Sequence, residues 1–202
     1  MKKQTFTLLI IAVVTHVPIA CVTDPGNSSL GTRITEVIAQ VGRYTSSAFD
    51  FSISTNYEQA AIRISVTEVD YFEISQSRGN SFSLITVAQA REPAPPEPTQ
   101  TINSLEITAS HPIYTGGNTF NSGDDLASLF KVTGRFLNDG TIDQFIERQN
   151  NEPWIFGEEG SQIIFQLLDQ PDSTINQTLT FTFDFSDGEI IELESPIFEV
   201  EN

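Results

Sequence analysis

Residues 178–185 alternate apolar and polar side chains with a period of two. Leu179, Phe181, Phe183 and Phe185 point one way, and Thr178, Thr180, Thr182 and Asp184 point the other. Four large apolar groups on one face require a covering layer, so this is a core strand. Ser186-Asp187-Gly188 then supplies turn chemistry. Residues 189–194 return as the second arm of a hairpin, and 197–200 form a terminal strand after Pro196. Upstream, Ile62, Ile64 and Val66 alternate with Arg63, Ser65 and Thr67. Phe82, Leu84, Ile85 and Val87 mark another strand, and Leu105 with Ile107 one more. Residues 162–168 are apolar enough for a buried strand, and Phe49, Phe51 and Ile53 alternate as an edge would. Ile34, Val37, Ile38 and Val41 have helical spacing, but their β-branched character selects a strand.

Two short helices interrupt this pattern. Asp124 or Asp125 caps a turn through Leu126, Leu129 and Phe130. Thr141 caps a second, with Ile142, Phe145 and Ile146 on one face. Proline in the loop 92–98 removes backbone donors, so no central strand crosses it. Many short strands separated by turns predict an all-β fold, an immunoglobulin-like or related two-sheet β-sandwich with one or two short helices. The Cys…Trp…Cys pattern of true immunoglobulin domains is absent.

The N-terminus follows a different logic. Lys2 and Lys3 precede an apolar stretch, densest at 8–14, that is too short for a membrane-spanning helix of about 20 residues. It has the form of a secretory signal, 1–20. The only cysteine follows it in Pro18-Ile19-Ala20-Cys21, which resembles a bacterial lipobox except at Pro18. That resemblance implies cleavage before Cys21 and acylation there, palmitate included, in an envelope lipoprotein anchored to the outer membrane. A free Cys in an ordinary signal peptide is the alternative. Residues 21–31 then read as a flexible tether, and 32–202 as a single β-sandwich-like domain.

Composition narrows the function. The 202 residues carry 10 Lys+Arg against 27 Asp+Glu, a net charge of -17. Phosphate neutralisation cannot drive nucleic-acid binding by such a chain, so no nucleic-acid partner is expected. Residues 139–202 hold 15 of the acids and one base, Arg148. That surface repels anionic headgroups and suits a body held off the membrane.

Catalytic sets are hard to assemble. His111, the sole histidine after cleavage, stands before Pro112 in a turn context, and no Gly-x-Ser-x-Gly elbow occurs. Glu158-Glu159 and Asp124-Asp125 are paired acids, but a glycosidase needs two that face each other across a cleft. The loops 121–125 and 138–143 offer hard oxygen ligands, without the EF-hand spacing, and turn formation explains the same residues. No metal, cofactor or catalytic residue is therefore expected, and the chain is read as non-enzymatic. Trp154 and Tyr114 are the candidate ligand-binding aromatics, able to stack on a glycan or anchor an envelope protein; for Trp154, closure of the core is the preferred reading. Asp172-Ser173-Thr174 resembles an O-glycosylation acceptor of exported Bacteroidetes proteins, which makes Ser173 a candidate modification site.

Several stretches taken in order carry a wider resemblance. They are Val87-Ala88-Gln89-Ala90-Arg91 before the Pro-rich loop, residues 102–108, residues 123–130, and the 181–191 hairpin. Over roughly residues 80–200 the chain resembles an uncharacterised Bacteroidetes lipoprotein family of unknown function and similar length. The resemblance implies a lipid-anchored envelope protein and supplies no catalytic residues. Acids often cluster after the cysteine in surface-exported members of such lipoproteins; here only Asp24 lies near. Periplasmic and surface orientations both remain open.

Overall fold

The computed structural model describes residues 29–45, 48–74, 95–134 and 137–202. The chain divides into two compact units, Met1–Leu30 with Glu73–Pro96, and Gly31–Phe72 with Glu97–Asn202. The first lies almost wholly outside the described residues, as do Cys21, the signal segment and the strand expected at 82–87. The fold below is that of the second.

It is mostly strand, in antiparallel sheets with one α-helix, a sandwich-like all-β fold. The large sheet runs β2 (Ala48–Asp50), β1 (Ser29–Thr45), β3 (Ala60–Ile74), β10 (Gln162–Leu167), β8 (Phe130–Gly134), β9 (Leu137–Gly140). The short β4 (Glu97–Pro98) pairs parallel to β1. A three-stranded sheet runs β13 (Ile190–Glu194), β12 (Leu179–Phe185), β5 (Ile102–Ala109). β6 (Ile113–Thr115) with β7 (Asn118–Phe120), and β11 (Ile175–Gln177) with β14 (Phe198–Val200), form two further pairs.

β12 does what its alternation predicts. Leu179, Phe181, Phe183 and Phe185 are all buried, and the polar set is partly exposed. Its facing layer is the large sheet: the Phe181 ring lies 5.1 Å from that of Phe165 on β10. A file of rings continues sideways, with Phe183 stacked on Phe185 at 6.2 Å and on Phe156 at 5.6 Å, and Phe156 edge-on to Phe145 at 6.0 Å. Such pairs contribute beyond the area they bury.

β1 is a strand despite its helical spacing. Ile34 and Val37 both point into the core, so the inward set changes parity once between them and then continues at Ala39 and Val41. β3 changes parity likewise between Val66 and Val69. The buried hydroxyls of Thr35 and Thr67, which have no hydrogen-bond partner among the described residues, sit at these two changes.

The one α-helix among the described residues, α1 (Ile142–Asn151), begins after the expected cap Thr141. Thr141 Oγ1 accepts from the Gln144 amide at 3.2 Å, and Gln144 Oε1 accepts from the Thr141 amide at 3.0 Å, a reciprocal capping box. Ile142 and Phe145 enter the core. Asn150 accepts from Ile102 N–H at 2.8 Å and donates to Ile102 C=O at 2.9 Å, which pairs the start of β5 with a side chain. The other expected helix is one 3-10 turn, Ala127–Leu129, with Leu126 at its cap position. Asp125 still acts there, accepting from the amides of Ala127 (2.9 Å) and Ile107 (3.2 Å).

Three boundaries differ from expectation. β1 starts at Ser29, so the last residues of the expected tether 21–31 are strand. Glu97–Pro98, inside the Pro-rich loop, pair with Gly31 and Thr32; a parallel edge needs few donors, which proline tolerates. β2 stops at Asp50, because Asp50 Oδ1 accepts from Ser52 N–H at 3.0 Å and turns the chain before Phe51 and Ile53 extend the strand.

Candidate ligand-binding site

Ile62 and Ile64 are wholly buried on the core side of β3, so Arg63 between them points to the outer face of the large sheet. β2 and the segment after it bring two rings over it. The guanidinium carbon of Arg63 lies 4.6 Å from the Phe49 ring centre and 4.8 Å from that of Phe51. The two rings meet edge to face at 5.7 Å. Gln40 on β1 accepts from Arg63 Nε (3.0 Å) and Nη2, and Gln162 on β10 accepts from Nη1 at 3.4 Å. One cation is thus fixed by two planar rings and two amides from three strands and the segment after β2.

β2 itself is pinned. Arg43 Nη2 lies 3.0 Å from Asp50 Oδ2. Hydrogen bonds from Ser52, then Arg43, hold the Asp50 carboxyl below the usual range. Gly42 allows the close approach: a Cβ there would collide with Asp50 O and stand 2.7 Å from the Phe49 ring.

Beside this cluster lies a cleft of about 370 Å³. Tyr44 and Phe49 form part of its wall, with Thr133, Ile164 and Gln162 from β8 and β10. The loop after residue 155 completes it with Glu158, Glu159 and Ser161. That loop is held to β3, since Gly160 N–H donates to Val66 C=O (2.9 Å) and Val66 N–H to Ser161 C=O (3.0 Å). A second, shallower opening carries Ile38, Gln40, Arg63 and Ser65 and shares Glu159, Gly160 and Gln162 with the first. Together the two openings form a groove that presents aromatic, amide, hydroxyl and charged groups.

Glu158 and Glu159, which were not expected to face one another, do line one cleft. They are neighbours on one loop, and they are the only carboxylates among its described lining residues. A two-carboxylate hydrolysis needs the second acid across the bond to be broken.

The other sequence candidates lie elsewhere. Trp154, in the 3-10 turn Pro153–Ile155, is partly buried and packs against the hydrophobic core. Tyr114, 44% exposed on β6, is tied to the Ser173 loop: its C=O accepts from Asp172 N–H at 2.8 Å, and Asp172 Oδ2 accepts from Gly117 N–H at 2.7 Å. Ser173 is exposed. Neither aromatic lines the groove. His111 is exposed, and the Gln177 amide takes both its N–H and its C=O. Its Nδ1 is 2.9 Å from Ser110 Oγ, an adjacent residue in the same turn.

The loop acids serve as local hydrogen-bond acceptors. Asp139 has a positive φ of 48° and accepts from Thr133 Oγ1 at 2.8 Å and Lys131 Nζ at 3.2 Å. Those contacts, Thr133 foremost, lower its pKa. Asp124 Oδ2 accepts from the Asn121 amide at 2.7 Å. Among the described residues no group of three or more His, Cys, Asp or Glu is placed to hold a metal, and no helix is long and apolar enough to cross a membrane.

The groove was missed in the sequence because Arg63, Ser65 and Thr67 read as an ordinary solvent face. The signal was the alternation of Phe49 with Phe51 on a short edge beside a lone outward arginine. Comparison with known protein families, curated proteins and solved structures found no match.

Proposed function

We propose that this is an exported, lipid-anchored envelope protein that works by binding, with the Arg63 groove as its ligand surface. The carrying observation is the set of contacts that positions Arg63 in that groove. Arg63 is already ordered by Phe49, Phe51, Gln40 and Gln162, so a ligand meets fixed groups and costs little side-chain entropy on binding. The anchor reading rests on Cys21 as the lone cysteine behind an apolar segment. Triton X-114 partitioning of native membranes tests the anchor. Wild type should enter the detergent phase, and Cys21→Ser should leave it; an unchanged partition refutes the anchor. Protease shaving of intact cells then tells surface display from periplasmic orientation.

A further inference from the structure

A second cleft, of about 330 Å³, lies toward the other end of β1 and β3. Arg33, in this cleft, and Gln40, in the groove, are seven steps apart on β1, about 23 Å along a strand. We propose that it is a binding subsite for a neutral oligosaccharide.

Two exposed aromatic residues line it, Tyr71 (58%) and Phe72 (42%), consecutive near the end of β3 and so on opposite faces of that strand. An exposed ring offers its face to the C–H face of a pyranose. Beside the rings, planar polar groups are already locked. Gln100 is only 5% exposed. Its Oε1 accepts from Ile34 N–H at 2.6 Å, and its Nε2 donates to Asp187 Oδ2 (3.0 Å) and Glu189 Oε2 (3.3 Å). Arg33 bridges Asp70 Oδ2 at 3.3 Å and Glu189 Oε2 at 3.6 Å.

The inventory fits vicinal hydroxyls. Arg33 has five N–H donors and two carboxylate contacts, which leaves donors over. Asp70 and Asp187 line the cleft and keep free lone pairs. A sugar hydroxyl both donates and accepts, so a pair of them satisfies a guanidinium edge and a carboxylate together. Each carboxylate already accepts from Arg33, Gln100 or, for Asp187, the Glu189 amide at 3.2 Å. The site therefore calls for hydroxyls more than for a bare cation. A chain of net charge -17 disfavours acidic sugars. The volume falls in the range of about 300–1,000 Å³ typical of ligand pockets. The subsite depends neither on the Arg63 groove nor on Cys21.

Calorimetry on the full chain in detergent tests this, with cello-, malto-, laminari-, xylo- and mannohexaose as probes. At least one should bind, with little change in about 0.5 M NaCl. Tyr71→Ala should weaken that binding about tenfold or more, and Asp187→Asn about fivefold. Tyr71 is exposed, so its variant should melt with wild type. Tyr44→Ala, in the groove, should bind as wild type does. Failure of all five sugars to bind overturns the proposal. So does binding that Tyr44→Ala abolishes and Tyr71→Ala spares. Salt-labile binding of hexalysine at Asp187, in place of any sugar, would reassign the cleft to a basic peptide and overturn it too.

Discussion

Phenylalanine does two jobs in this molecule. Inside the sandwich, Phe156, Phe165, Phe181, Phe183 and Phe185 are buried almost completely and pack on one another. On the outer face, Phe49 and Phe51 pack on a cation, and Phe51 stays 62% exposed. The inner rings stabilise by leaving water, at roughly 25 cal/mol per Å² of apolar surface. The outer rings gain less, about 0.5–1 kcal/mol per exposed cation–π contact. Their effect is positional: they hold Arg63 still. Stability is therefore carried between the two sheets and the proposed recognition on the outer face of the large one, and substitutions should separate them.

The largest effect belongs to the inner face. Phe183→Ala removes a ring that stacks on two others, and should cost about 3–5 kcal/mol. Chemical denaturation measures it; a loss under 1 kcal/mol would mean that the ring file is not cooperative.

Gly42→Ala acts between the two faces. The new Cβ collides with Asp50 O and the Phe49 ring, so β2 must lift. About 1–3 kcal/mol of stability should go. In the NMR spectrum the Arg63 Nε–H signal should lose its ring-current shift. An unmoved signal would separate Arg63 from the β2 rings.

Thr141→Ala tests a purely local contribution. Loss of the bond from the Gln144 amide to Thr141 Oγ1 should cost about 1 kcal/mol and leave the groove untouched. Equilibrium unfolding reads the cost, and an unchanged Arg63 spectrum checks the second half.

The smallest effect is in pH. Asp139 has a lowered folded pKa, so its stabilisation is complete above the usual carboxylate range. It is lost as pH falls below about 4 and through the folded value. The Asp139 side chain is 61% exposed, which keeps the contribution small. Asp139→Asn should flatten the acid limb of a stability–pH profile slightly; a steeper limb would contradict the assignment.

What could be read from the sequence follows from what sets each feature. β12 was legible because four apolar residues on one face leave a single register. The α1 cap was legible because Thr141 and Gln144 act within one turn. β1 was ambiguous because a change of parity between Ile34 and Val37 imitates a helical repeat. The groove was not legible. It joins Gln40, Phe49, Arg63 and Gln162 across three strands and the β2 edge, and no local pattern records a long-range pairing. The cleft at Arg33 is of the same kind, since its Gln100 and Asp187 arrive from distant parts of the chain. Trp154, for which closure of the core is the preferred sequence reading, packs against the core.

The division between a structural inner face and a recognising outer face has a direct test in cysteine labelling. The chain has one cysteine, Cys21, which the anchor would block. Ser65→Cys places a thiol in the groove, and Glu192→Cys places one on exposed β13 as a reference. Maleimide labelling is then compared between native envelope membranes and purified protein. The account predicts that Ser65→Cys labels several-fold more slowly in membranes, where the ligand is present, while Glu192→Cys labels equally in both. Equal labelling of Ser65→Cys in the two preparations would contradict the groove as the ligand surface.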